Sequence, residues 1–286
     1  MKVSLALIAI LAMITSGSGL AESTSTLEQI KKTETIHIGY RENEPPMSFL
    51  NKDSQPVGYS IDLCKQIVNA VKSKLKNPNI ATKYVAVTAS NRFEALTNNS
   101  IDILCGSTTK TLSRAELVDF TQLSFVTGAS ILSLTSSEIK GLADLKGKKV
   151  AVVKDTTTID SLTKALKKAE SDAKIVPVAS ASAGMDAVVK GDVDAFSSDQ
   201  IVLIGLALTS KSSEKFAIAE EIFSYEPFAL AVRKNDSEFR LLADRVLSEL
   251  NRSGKISLIY SQWFGGYTKK VPTLLEAMYM LNSIPE

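Results

Sequence analysis

Between Asp102 and Arg114 the chain reads D-I-L-C-G-S-T-T-K-T-L-S-R. Ile101 to Cys105 reads as a strand end, and Gly106 permits the backbone to turn there. Ser107, Thr108 and Thr109 then offer hydroxyl and amide donors at one spot. Arg114 follows with a planar fork of N–H donors suited to a carboxylate. That combination can capture a small anion, although taken alone it also fits a polar loop followed by a surface arginine. Four more polar turns carry comparable chemistry: Arg41, Ser90 to Arg92, Asp155 to Thr158, and Ser197-Ser198-Asp199. The turn at Ser90 to Arg92 opens a helix, whose free N–H groups favour an anion.

These turns share one feature: each follows a segment that reads as a strand. Thr35 to Tyr40 precedes Arg41, and Ile80 to Val87 precedes Ser90. Lys148 to Val153 precedes Asp155, and Asp194 to Ser197 runs into Asp199. The connecting segments have helical spacing. From about Ser60, residues Ile61, Cys64, Ile67, Val68, Val71 and Leu75 lie on one face, and Pro78 ends that pattern. Asn91 to Asn98 reads as a short helix with Ser90 as its cap. Ile159 to Ala169, Met185 to Lys190, Gln200 to Thr209 and Ser237 to Asn251 read as further helices, with strands at Lys174 to Val178 and Phe228 to Arg233. Strands alternating with helices imply a largely parallel sheet covered by helices, and two such series imply two α/β domains. In sheets of this kind ligands collect beyond the carboxyl ends of the strands. The five turns would therefore line one cleft with arginines, hydroxyls and an aspartate.

Other function classes are disfavoured. The 33 basic and 31 acidic residues are nearly balanced, with no basic stripe for nucleic acid. Neither G-x-G-x-x-G nor a P-loop is present, which excludes a dinucleotide site. The lone histidine, His37, lies in a strand and leaves no Ser-His-Asp or Cys-His arrangement, so no catalytic residue is assigned. No metal-ligand spacing appears, and no cofactor is expected. Cys64 and Cys105 are either one disulfide, if the compartment is oxidising, or two buried thiols.

Residues 1 to 21 read as a leader. Lys2 supplies the positive start, Val3 to Ile14 is apolar, and Gly19-Leu20-Ala21 has the small residues of a cleavage site. The apolar run is too short to span a bilayer, which needs roughly 20 residues. No cysteine lies near the site, which argues against a lipid anchor. The expectation is export and trimming before Glu22.

Several stretches in order carry a resemblance: Y-R-E-N-E-P-P-M-S-F, G-Y-S-I-D-L-C, N-R-F, C-G-S-T-T-K-T-L-S-R, D-L-K-G-K-K-V-A-V and S-G-K-I-S-L-I-Y-S-Q-W-F, between Tyr40 and Phe264. Together they resemble the periplasmic solute-binding proteins of polar amino acid transport (solute-binding protein family 3), and most of all the glutamate/aspartate receptors among them. The resemblance implies a two-lobed periplasmic-binding-protein fold of type II with ligand between the lobes. Lobe 1 would be residues 22–126 plus 228–286, and lobe 2 residues 127–227, with crossings near Phe125 to Ser130 and Tyr225 to Phe228. It implies a monomer that delivers an acidic L-amino acid to a membrane ABC permease.

Residue by residue, the family pattern gives Arg114 the ligand α-carboxylate, with Ser107 and Thr109 adding hydrogen bonds. It gives Thr156 and Thr157 the closing contact from the second lobe. Asp199 would hold the α-ammonium, since a desolvated cation needs a carboxylate, and Arg41 and Arg92 would hold the side-chain carboxylate. Plainer roles compete: Asp199 as a helix cap, the threonines as helix caps, and the arginines paired on the surface with Glu42 or Glu94. Three positions depart from the acidic-ligand pattern. Ala89 replaces a serine, Ser180 to Gly184 lacks a histidine, and Asp155 replaces a glycine. A receptor for another polar amino acid, or a dehydratase-like enzyme on the same fold, are the alternatives.

Overall fold

The computed structural model describes residues 25–268 and 270–286; the expected leader lies outside the described residues. Helix α1 (Thr26–Thr33) opens on Ser25, whose side chain accepts from the Glu28 amide, and ends at Glu34 in the left-handed conformation. Strand β1 (Thr35–Tyr40) follows, then three short strands, β2 (Asn43–Glu44), β3 (Ser48–Leu50) and β4 (Pro56–Val57). Helix α2 (Tyr59–Lys74) buries Ile61, Cys64, Ile67, Val68 and Val71 along one face, as their spacing requires. Then come β5 (Ala81–Ala86), α3 (Arg92–Thr97), β6 (Ile103–Cys105) and the long strand β7 (Val118–Thr127).

The chain next enters a second layer system: β8 (Ala129–Leu134), β9 (Lys149–Val153), α4 (Thr157–Lys168), β10 (Lys174–Val178), α5 (Ala181–Lys190), β11 (Ala195–Asp199), α6 (Gln200–Thr209) and β12 (Phe216–Ile218). It returns through β13 (Glu226–Arg233) to α7 (Ser237–Arg252), α8 (Lys255–Phe264) and α9 (Thr273–Leu281). Among the described residues no helix is long and apolar enough to cross a membrane.

Two five-stranded sheets result, ordered β5-β1-β6-β13-β7 and β10-β9-β11-β8-β12. In each, four strands run in one direction and one runs against them. In the first, β5, β1 and β6 are parallel neighbours, β13 runs against them, and β7 beyond it runs with them again. The second repeats the plan with β10, β9 and β11 parallel, β8 reversed, and β12 running with the first three. The expectation of largely parallel sheets thus holds except at one strand of each, β13 and β8. β7 and β8 follow one another with no helix between them. They belong to different sheets, separated only by Gly128.

Cys64 on α2 and Cys105 at the end of β6 form a disulfide with Cα atoms 6.4 Å apart. It ties the helix to the strand that feeds the Gly106 turn. His37 is structural: its backbone amide donates to buried Asp102 at 2.7 Å, and Asp102 also pairs with Arg233 at 3.0 Å. Trp263 packs edge-on against Phe49 and donates Nε1–H to Asp62 at 2.8 Å, which fastens α8 to α2.

Candidate functional site

The carboxyl ends of β1, β6 and β9, the end of β11, and the starts of α3 and α4 converge on one small cavity between the two sheets. Arg41, Arg92, Ser107, Thr109, Arg114, Thr156, Thr157 and Asp199 all line it. Eight positions scattered over more than half the chain are therefore neighbours, because both sheets present the same edge to the same gap. The first sheet supplies the three arginines, and the second supplies Asp199 and the α4 turn.

Each guanidinium is held differently. Arg41 is buried, and its Nη2 lies 2.8 Å from Glu44 Oε1; Glu42, the other candidate partner, is exposed. Arg92 is buried and donates to the carbonyls of Ala89 and, at 3.2 Å, Asp155. Its Nε is buried without a partner. Arg114 sits in a short 3-10 turn, its amide donating to Thr111 Oγ1 and its Nη1 to the Thr109 carbonyl at 2.8 Å. Phe93 lies under both, its ring centroid 4.5 Å from the Arg92 guanidinium carbon and 5.5 Å from that of Arg114. The ring face favours both cations while leaving their N–H edges available.

Crowding the three cations has a cost. Burial, then repulsion from Arg114 and Arg41, pulls the Arg92 pKa down to about 9. Burial also lowers Arg114, partly offset by Glu226 and Asp199. Asp199 is strained in the opposite sense. Burial, then the charges of Glu226 and Glu44, pushes its pKa well above the ordinary carboxylate range, and Arg114 offsets only part of this. Its Oδ1 is buried without a hydrogen bond, and although Asp199 sits at the N-cap of α6, its side chain makes no capping bond. A carboxylate beside Arg92 and an ammonium beside Asp199 would each relieve these penalties. The site is chemically suited to a small zwitterion with a further anionic or polar group.

The threonines divide. Thr156 turns its hydroxyl back onto the Val153 carbonyl at 2.7 Å, whereas Thr157 donates to Glu226 Oε2 at 2.8 Å. Neither caps α4 by side chain: Thr156 holds the N-cap position with no capping bond. The amides of the first turn of α4 thus face the cavity without intrahelical partners. Thr109 donates to the same Glu226 oxygen at 2.6 Å, so Glu226 joins the two sides of the gap. Ser107 donates to Glu44 Oε2 at 2.5 Å.

Ser90 does not cap α3; Asn91 occupies that position, and the Ser90 hydroxyl instead reaches across the gap to the Asp155 carboxylate. Asp155 has φ of +60°, a conformation that aspartate tolerates better than most side chains. Ala181, at the start of α5, lines the cavity in the region where the acidic-ligand pattern has a histidine. Sequence reasoning missed Glu44, Glu226 and Phe93. Phe93 and Glu44 lay inside quoted stretches, N-R-F and R-E-N-E-P-P, but only the basic residue of each drew attention. Glu226, just ahead of the strand expected at Phe228, had no local signal.

The two sides also touch directly. Gly205 of α6 is buried against Pro45: a Cβ there would lie 2.1 Å from the Pro45 carbonyl oxygen and 2.8 Å from Pro46 Cδ. Only a glycine allows the helix backbone so close.

Comparison with known proteins agrees with this architecture. Residues 36–266 match the model of the bacterial extracellular solute-binding proteins, family 3. A protein of Pseudomonas aeruginosa named L-glutamate/L-aspartate-binding protein is 33% identical over 270 residues, covering 92% of this chain and 87% of its own length. The glutamate/aspartate import solute-binding protein of Salmonella typhimurium is 32% identical over 246 residues, covering 86% and 82%. Among solved structures, an ancestral amino acid-binding protein described as a precursor of cyclohexadienyl dehydratase superposes with a TM-score of 0.71 at 27% identity, covering 84% of this chain and 100% of that one. The fold is the two-lobed type II periplasmic-binding-protein fold. With its two matching sheets, its cleft and a sequence match running through nearly all of both, this chain belongs to the bacterial extracellular solute-binding proteins, family 3.

Proposed function

We propose that the protein is the ligand-receiving component of an amino acid ABC importer and that it binds an acidic L-amino acid, glutamate or aspartate. The observation that carries this reading is the cavity's inventory: three arginines facing, across two lobes, an Asp199 whose buried Oδ1 has no hydrogen-bond partner. In this reading Arg114, Ser107, Thr109 and the Thr156–Thr157 turn hold the α-carboxylate. Asp199 takes the α-ammonium, and Arg92 with Arg41 takes the distal carboxylate. Residues 22–126 with 228–286 move as one lobe and 127–227 as the other, hinged at the two crossings. Ligand closes them because only the closed form offers contacts from both sides. The protein works as a periplasmic monomer that docks on a membrane permease and performs no chemistry. The names of the two relatives support the ligand class.

A calorimetric and thermal-shift screen over the amino acids tests it. Ligand bound only by the folded state raises the melting temperature by mass action. Glutamate and aspartate should give the largest shifts, and a larger shift with a cationic or aliphatic amino acid would overturn the acidic assignment.

One observation favours a second reading. Asp199 is a buried carboxyl biased towards its protonated form, which is what a general acid requires. A dehydratase acting on a carboxylated substrate would use it so. Mass spectrometry decides: recovery of unchanged ligand after incubation supports the receptor, and turnover lost in Asp199→Asn supports the enzyme.

A further inference from the structure

Glu44 has no part in the ligand scheme above, yet it sits inside the cavity. It lies on β2, which pairs with β3 beside the end of β1, and it is buried. Its Oε1 takes the Arg41 Nη2 at 2.8 Å and its Oε2 takes the Ser107 hydroxyl at 2.5 Å. Gly106 leaves room for the pair, since a Cβ there would come within 2.9 Å of Arg41 Cγ. An internal carboxylate therefore already occupies two donors that a ligand carboxylate would seek. Arg92 is the contrasting case: it donates only to backbone carbonyls, and its Nε is buried without a partner.

We infer that Glu44 is a specificity-determining residue of the side-chain subsite, an internal carboxylate that competes with the ligand's distal carboxylate for Arg41 and narrows discrimination between an acidic amino acid and its carboxamide. Charge counting gives the reason. Arg41, Arg92 and Arg114 already meet the carboxylates of Glu44, Glu226 and Asp155, with Asp199 biased towards its protonated form, so the cleft is balanced before ligand enters. A zwitterion leaves that balance intact, whereas a dicarboxylate adds one buried negative charge near Glu44, and like charges at close range repel. A carboxamide can instead donate N–H to Glu44 while its oxygen accepts from Arg92. Arg92 is left as the principal holder of a distal anion. This inference rests on the acidic-amino-acid reading of the cleft.

The test is calorimetry with L-glutamate, L-aspartate and L-glutamine on wild type, Glu44→Gln and the double variant Glu44→Gln/Arg41→Met, with circular dichroism to verify the fold. Glu44→Gln keeps the shape, removes the charge and exchanges one acceptor oxygen for a donor NH2. It should raise glutamate affinity about tenfold or more, the equivalent of about 1.4 kcal/mol, with no comparable gain for glutamine. The double variant should lose that gain. Wild type, needing no variant to fold, should prefer glutamate over glutamine by less than about tenfold on the same scale. Unchanged or weaker glutamate binding by folded Glu44→Gln, an equal gain for glutamine, or a wild-type preference above a hundredfold would overturn the inference while leaving the acidic reading standing. Binding of dicarboxylates by Glu44→Gln alone supports it. Failure of both proteins to bind either dicarboxylate refutes the acidic reading, and the inference with it.

Discussion

Substituting Gly205 by alanine should separate folding from closure, because the two respond with opposite sign. Gly205 lies in the interior of α6, where alanine is favoured over glycine by about 0.5–1 kcal/mol. Within lobe 2 the substitution is therefore stabilising. Across the cleft it is not, since the new Cβ would lie 2.1 Å from the Pro45 carbonyl oxygen, whereas ordinary contact begins at 3.4 Å. Both atoms at the clash are backbone-anchored, so no side-chain rotation relieves it. The lobes must stand off by about an ångström. That distance breaks hydrogen bonds that span the gap, among them Arg92 to the Asp155 carbonyl at 3.2 Å and Ser90 to the Asp155 carboxylate. At about 0.5–1.5 kcal/mol for each such bond, losing two costs about 1–3 kcal/mol of closure. Ligand affinity should fall by roughly 5- to 150-fold, while the unliganded melting temperature rises by about 1–3 °C. Calorimetry and a thermal melt measure the two effects, and small-angle scattering with ligand should show a less compact particle than wild type. Wild-type affinity in Gly205→Ala would refute the argument that this contact belongs to the ligand-bound form.

Arg114→Ala should weaken ligand binding by about 2–5 kcal/mol, because it strips one partner from a desolvated charge pair; wild-type-like calorimetry with native circular dichroism would place the arginine outside the site. Asp199 makes a pH prediction. Its folded pKa is raised, so the folded state holds a proton that the unfolded state releases, and unliganded stability should decline as pH rises from the ordinary aspartate value of about 3.9 through the raised one. Asp199→Asn should flatten that decline in urea titrations at several pH values and abolish ligand binding; an unchanged profile would show that the carboxyl is not strained. The Cys64–Cys105 bond closes a loop with a sequence separation of 41; replacing both cysteines by serine should cost about 3–4 kcal/mol of stability, read as a lower denaturant midpoint, and no change would mean that the bond does not form.

Capacity for a small anion was legible in single turns, because hydroxyls and arginines after strand ends announce themselves locally. Periodicity located Lys174–Val178, Gln200–Thr209 and Thr35–Tyr40 at the bounds the structure gives them. What had to come from tertiary structure was pairing. The spacing of Cys64 on its helix face placed it towards the sheet, but whether it met Cys105 depended on how α2 lies across β6. Ser90 looked like a helix cap because a cap is a local pattern; its actual partner, Asp155, is 65 residues away and in the other lobe.

The same limit governed the carboxylates. Nothing local distinguishes Glu44 from Glu42, two residues earlier, yet the β2–β3 pairing buries one and exposes the other. Glu226 is a strand-end glutamate in sequence and a bridge between Thr109 and Thr157 in space. Side-chain type and helical or strand period are properties of neighbours along the chain, so the sequence by itself determined which segments form and which turns carry donors. The partner of a buried charge is set by contacts between residues far apart along the chain, where register, crossing and lobe closure decide what desolvates what, and only the folded molecule contains that information.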